Sequence, residues 1–255
     1  MGTIRVRGLT LGEGAAKIAA PITGAAREEI LHQASALRES PAEIAEWRAD
    51  FARGAAEPEA LLDTLRLLRS ALGELPLLFT FRSAREGGAQ ALDEQALRSI
   101  RRTAAESGCV DLIDVELGEG GEAVRDEITA LRRHAVVIGS YHDLRGTPER
   151  EALFEKLCLA RALGADIAKL AVTPRNRSDV LSLLEASVRM REAFPEQLLI
   201  TISMGRLGLP SRVACALTGS CVTFGSVGTI SAPGQLPAQT LRYILDALGS
   251  DREKS

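Results

Sequence analysis

Apolar residues gather into eight short runs: KIAAPIT (17–23), IAEWRAD (44–50), PLLFTFR (76–82), LIDVEL (112–117), AVVIGSYHD (135–143), IAKLAVT (167–173), LLITISM (198–204) and CVTFGSV (221–227). Their starts lie about 29 residues apart on average, the length of a strand–helix unit. Between them run segments of helical pattern, such as EALLDTLRLLRSAL (59–72), EALFEKLCLARALG (151–164) and DVLSLLEASVRMREAF (179–194). In the first of these, Leu61, Leu62, Leu65, Leu68 and Ala71 fall on one helix face. Thr147 followed by Pro148 predicts an N-cap with proline in the first turn.

Strands alternating with helices at this spacing predict an α/β fold, a (β/α)8 TIM barrel. An open doubly wound sheet is the competitor, but eight evenly spaced units without a nucleotide-binding fingerprint favour closure. IRVRGLTL (4–11) precedes the first barrel run and predicts a β-hairpin closing the barrel bottom. No linker divides the chain, so 1–255 is expected to be a single domain, with the polar tail SDREKS (250–255) disordered.

The 255 residues are 25% charged and 45% hydrophobic, with a net charge of −3, which is ordinary globular composition. A nucleic-acid surface would show a basic excess, so no nucleic-acid partner is expected. The cluster LRSIRR (97–102) reads as a solvated helix face. The N-terminus has no apolar signal core, and Val6 breaks the myristoylation pattern that Met-Gly begins. No apolar run approaches the ~20 residues of a membrane helix. Cys109, Cys158, Cys215 and Cys221 form no CxxC pair, and three histidines cannot complete a zinc spacing. A cytoplasmic location follows from that cysteine usage.

In a barrel, chemistry collects where strands end. Glu46 and Arg48 share a face of the second barrel run and could form an interior ion pair. Arg82 ends the third run, and Glu86 follows before two glycines. His142 closes the fifth, next to Asp143, where a helix-capping or hydrogen-bond-satisfied histidine is the simpler reading. Arg212 in LPSRVACAL reads as a basic residue at a helix start, a mild misfit with the dipole that suggests a facing anion.

Lys169 is different, because apolar residues surround it in DIAKLAVTP (166–174). Lysine is among the residues least often fully buried. Two readings stand. It could be neutralised by a barrel carboxylate such as Glu46 or Glu116. Alternatively, its deprotonated amine could condense with a carbonyl to give an imine, whose protonated form is an electron sink.

Six pieces in order, EWRAD, TFRSAREGG, SYHDLRGTP, DIAKLAVTP, ISMGRLGLPSRV and FGSVGTISAPGQ, make the chain resemble the type I 3-dehydroquinate dehydratases of the shikimate pathway. The resemblance implies a lyase that dehydrates 3-dehydroquinate to 3-dehydroshikimate without metal or cofactor, as a homodimer. Residue by residue, it implies that Lys169 forms the imine, His142 is the general acid/base, and Glu86 orients His142. A carboxylate there would raise the histidine pKa, opposed by the nearby imine cation. It further implies that Glu46, Arg48 and Arg82 hold the substrate, and that Arg212 pairs with its carboxylate. Ser231 and Gln235 would belong to a closing loop, and Met204 and Phe224 to the apolar lining. The first strand departs from the family pattern: Pro21 stands where some relatives place a polar contact. The alternative is a class I aldolase-type barrel acting on a sugar phosphate, which would need a phosphate cradle after the last two strands. GSVG is only a loose match to one.

Overall fold

The structure, a computed structural model, describes residues 2–228 and 234–249. The polar tail and Ser231 lie outside the described residues. Strand β1 (Ile4–Val6) pairs antiparallel with β2 (Leu9–Leu11). The barrel strands are β3 (Lys17–Ile22), β4 (Ile44–Arg48), β5 (Leu77–Thr80), β6 (Leu112–Glu116), β7 (Val136–Asp143), β8 (Ile167–Val172), β9 (Leu198–Ser203) and β10 (Val222–Ser226). All eight predicted strands are present, each within two residues of its expected ends.

Helices α1 (Arg27–Arg38), α2 (Pro58–Leu72), α3 (Glu94–Glu106), α4 (Glu122–Leu131), α5 (Arg150–Ala162) and α6 (Arg177–Ala193) connect the first seven of these strands. The short α7 (Leu209–Val213) and α8 (Cys215–Thr218) fill the next connection. After β10 come β11 (Leu236–Pro237), parallel to its end, and α9 (Ala238–Gly249). Neighbouring strands from β10 through β3 to β9 pair in parallel. The remaining seam closes where the Cys221 N–H donates to the Leu199 carbonyl at 2.8 Å, beside a bridge between Leu199 and Ser220. The result is a (β/α)8 barrel.

Alternation along each strand builds two cores. Ala45, Trp47, Leu77, Phe79, Ile113, Val115, Ala168 and Leu170 face outward to the helices. Ile44, Leu78, Leu112, Ile138, Ile167, Leu198 and Val222 fill the interior, and Val6 and Leu11 of the hairpin pack onto that cluster. The hairpin therefore closes the barrel bottom, as expected.

Two local readings fail. Helix α5 starts at Arg150 after Glu149, with no side-chain cap. Thr147 instead donates its hydroxyl to the Thr173 carbonyl at 3.0 Å, tying the loop to the end of β8. The LRSIRR segment is not uniformly solvated either. Arg101 is 1% exposed and donates to both oxygens of Glu127, at 2.6 and 3.1 Å, and to Glu94 at 2.9 Å. Helical spacing puts it on the buried face between Leu97 and Ala105, and the carboxylates of α3 and α4 make its burial tolerable. No helix among the described residues is long and apolar enough to cross a membrane.

Candidate active site

Two residues beyond the apolar bottom layer, the same interior columns turn polar. Ile44 is followed by Glu46, Leu78 by Thr80, Leu112 by Asp114, Ile138 by Ser140, and Ile167 by Lys169. One further step up come Arg48, Arg82, Glu116 and His142. The period of two thus carries each column from packing into chemistry. Glu46, Arg82, Glu86, Asp114, Glu116, Lys169 and Arg212 are all buried, none more than 6% exposed. Buried charges need partners.

Lys169 Nζ lies 3.0 Å from Asp114 Oδ2 and 3.9 Å from Glu46 Oε1, with the Phe224 ring centroid 5.0 Å away. The carboxylate anticipated for it was Glu46 or Glu116, and the close partner is Asp114. Glu116 is occupied elsewhere. It accepts from the Ser83 N–H and hydroxyl at 2.8 and 2.6 Å and from Arg82 at 3.1 Å. Asp114 Oδ1 accepts from Ser140 Oγ at 2.6 Å and from Arg82 at 2.9 Å. Burial alone would raise the Asp114 carboxyl, but Arg82, Lys169 and the Ser140 hydrogen bond outweigh it and hold it well below the usual range.

Arg82 is the hub. Beyond Asp114 and Glu116 it reaches Ser140 at 3.0 Å and Glu86 at 3.4 Å. Burial disfavours its charge, yet the surrounding carboxylates more than compensate and keep it firmly protonated. The Glu46–Arg48 pair does not form. Glu46 accepts from Thr80 at 3.0 Å, and Arg48 grips both oxygens of Asp50 at 2.8 Å. Asp50 is fully buried and also accepts from the backbone N–H groups of Arg82 and Ala89. It thereby joins the end of β4 to the loop carrying Glu86. That loop needs its glycine: a Cβ on Gly88 would collide with the Arg82 carbonyl.

His142 Nδ1 sits 2.9 Å from Glu86 Oε2. Of the two simpler readings it is the satisfied histidine, paired with Glu86, and not the helix cap. Burial drives the His142 pKa well below 6.5, reinforced by Arg82 and Lys169 and opposed by Asp114. The expected rise from Glu86 is not the outcome, because Glu86 is itself raised to about 8, first by burial and then by Glu116 and Asp114 against Arg82.

Arg212 lies in the last turn of α7 rather than at a helix start, so the dipole argument for it fails. The need for an anion survives on better grounds. Its guanidinium is 2% exposed, donates to the Phe224 carbonyl at 3.1 Å, and meets no carboxylate among the described residues. Burial lowers its pKa to about 10. Phe224 lines the interior, Met204 is half-buried against the same cluster, and Gln235 is buried. Gly234, next to Gln235, packs so closely on Gly205 that a Cβ there would strike its carbonyl, which seats that stretch against the loop after β9.

Sequence reasoning did not single out Asp114, Ser140, Thr80 or Asp50. The available signal was spacing: Asp114 lies two before Glu116 and Ser140 two before His142, on strands whose other inward positions are apolar.

A family model described as Type I 3-dehydroquinase matches residues 18–252. The 3-dehydroquinate dehydratase of Syntrophotalea carbinolica is 41% identical over 249 residues, covering 97% of this chain and 98% of its own length. That of Salmonella agona is also 41% identical, covering 97% of this chain and 99% of its own. A solved type I 3-dehydroquinate dehydratase from Clostridium difficile, with covalently modified comenic acid, matches with a TM-score of 0.94 at 37% identity. That match covers 98% of this chain and 99% of the other. The Geobacillus kaustophilus enzyme matches with a TM-score of 0.93 at 38% identity, covering 98% of both. In sequence along its whole matched length and in the shape of its barrel, the chain belongs to the type I 3-dehydroquinase family.

Proposed function

We propose that the chain dehydrates 3-dehydroquinate to 3-dehydroshikimate through an imine on Lys169. The observation that carries this reading is a buried lysine whose amine meets Asp114, with a half-buried His142 hydrogen-bonded to the buried Glu86 in the same charge network. The Lys169 amine attacks the ketone carbon, and the ketone oxygen leaves as water. The iminium acidifies the neighbouring carbon. With Nδ1 engaged by Glu86, Nε2 of His142 is the nitrogen that removes the proton there and then assists departure of the hydroxyl. Glu46 and Arg48 hold substrate hydroxyls. Arg82 fixes the carboxylates around the ring as well as contacting it, since four partners already hold it. Phe224 and Met204 form the apolar wall, with Ser231 and Gln235 in the loop that closes over the ring. No metal or cofactor enters any step.

A buried guanidinium that meets no carboxylate among the described residues favours a carboxylate substrate over the aldolase alternative, since Arg212 offers a planar fork suited to one carboxylate. Arg212→Ala is expected to raise KM roughly 10–100-fold, the loss of a charge-assisted bond worth about 1.5–3 kcal/mol. Steady-state kinetics with 3-dehydroquinate check this, and an unchanged kcat/KM would remove Arg212 from that role. The reaction itself is tested by following the ultraviolet absorbance of the conjugated enone as 3-dehydroquinate is consumed. No absorbance growth with purified protein would reject the reading.

The pair also sets the pH dependence. Glu86 and His142 share a hydrogen bond and titrate together. Below a pH of about 8, where the Glu86 value lies, the pair holds two protons. Either Nε2 is then protonated, or both ring nitrogens are, and neither state is a base toward substrate. Above it, Nδ1–H donates to a carboxylate and Nε2 is free. The kcat/KM of the free enzyme is therefore expected to rise with pH through about 8. A kcat/KM profile already flat from neutrality upward would contradict the assignment of that proton to the pair.

The whole chain acts as one catalytic domain with a small-molecule substrate, and no nucleic-acid or membrane partner. The exposed Leu144, Leu181, Leu217 and Tyr243 offer apolar surface to a second copy in a homodimer. The unpaired cysteines suit the cytoplasm.

A further inference from the structure

We propose that Asp114 is a positioning residue and counter-ion, holding Nζ of Lys169 in place and keeping the imine in its cationic form. This rests on the imine reading above. Asp114 cannot turn away from Lys169. Ser140 and Arg82 hold Oδ1 at 2.6 and 2.9 Å, which leaves Oδ2 aimed at Nζ from 3.0 Å. Glu46 is a poorer candidate, standing 3.9 Å from Nζ and already accepting from Thr80.

Charge accounting shows what such a carboxylate does. Ammonium plus ketone gives iminium plus one water, so Nζ carries a positive charge at both ends. Between them lie a neutral amine and a neutral carbinolamine. The proton shed by the ammonium returns to the departing oxygen, which also takes one proton from nitrogen. Asp114 therefore faces a cation in the resting enzyme and again in the electron sink. A carboxylate this close favours the charged form. Without it, the imine would lose its proton and stop acidifying the adjacent carbon.

Other charged and titratable groups belong to the same network: Glu46 and Arg48 from β4, Arg82 and Glu86 after β5, Glu116 from β6 and His142 from β7. Activity against pH would mix their titrations. Reduction of a preformed imine by cyanoborohydride does not, because the reagent reduces the iminium and spares the neutral imine.

The test uses the full chain, saturated with 3-dehydroshikimate, comparing wild type with Asp114→Asn. The rate of adduct growth at Lys169 is followed by mass between about pH 7 and about pH 9. Over that range the variant's rate is expected to fall at least tenfold more than that of wild type. Ser140→Ala, which keeps the charge, should follow wild type. Should Asp114→Asn fail the circular-dichroism test of folding, Asp114→Ser, also neutral, is read in the same way. A neutral variant whose pH dependence parallels wild type would overturn the counter-ion role. A wild type that forms no adduct on Lys169 would instead overturn the imine reading itself, a distinct outcome.

Discussion

Lys169→Ala is expected to abolish measurable turnover of 3-dehydroquinate while leaving the barrel folded. Loss of the amine removes the covalent route, and no other lysine among the described residues reaches the site. The chain has four: Lys17 starts β3 at the opposite end, Lys156 lies on α5 outside the barrel, and Lys254 is in the tail. Breaking a buried ion pair usually costs about 3–5 kcal/mol because one charge is stranded. Here Asp114 keeps Arg82 and Ser140, so the stranded charge remains compensated. A thermal midpoint close to wild type alongside lost activity is the expected pattern. Retained turnover would show that the reaction needs no amine at this position.

His142→Ala carries the second large effect. Positioned general acid/base catalysis contributes typically ~10²–10⁴-fold, and His142→Ala should lose at least that in kcat. Its loss can exceed this range because the residue serves imine formation and hydrolysis as well as elimination. The variant keeps Lys169 and so still condenses with the ketone, stalling as an adduct visible by intact mass. Glu86→Ala should be clearly milder. It leaves the imidazole in place and removes the oxygen 2.9 Å from Nδ1 that fixes the tautomer, while Arg82 keeps its other partners. If Glu86→Ala were as damaging in kcat as His142→Ala, the carboxylate would itself carry the proton.

The barrel was legible because alternation is a local signal. Ile167, Lys169 and Ala171 share a face whatever the rest of the chain does, and so do Leu112, Asp114 and Glu116. Residues ending those columns could be named without knowing what they touch. Which carboxylate meets Lys169 depends instead on register across three strands. Ser140 is the β-partner of Lys169, Ile138 that of Asp114, and only their stagger brings Asp114 to Nζ. Glu116 and Asp114 look equivalent along β6, and the backbone of Ser83 decides between them by claiming Glu116. The same limit explains Arg101, whose burial depends on Glu127 from another helix. Titration was the least legible property. Glu86 and His142 move in opposite directions because burial disfavours the charged form of each, an anion in one and a cation in the other, and that burial is not visible in TFRSAREGG or SYHD alone.

The central claim is a covalent bond from Lys169 to the substrate ketone, and trapping tests it most directly. Protein incubated with 3-dehydroshikimate and borohydride is digested, and its peptides are mapped by mass. The account predicts one irreversible adduct per chain, located on Lys169 and absent from Lys169→Ala. No adduct, or an adduct on Lys17, Lys156 or Lys254, would contradict it.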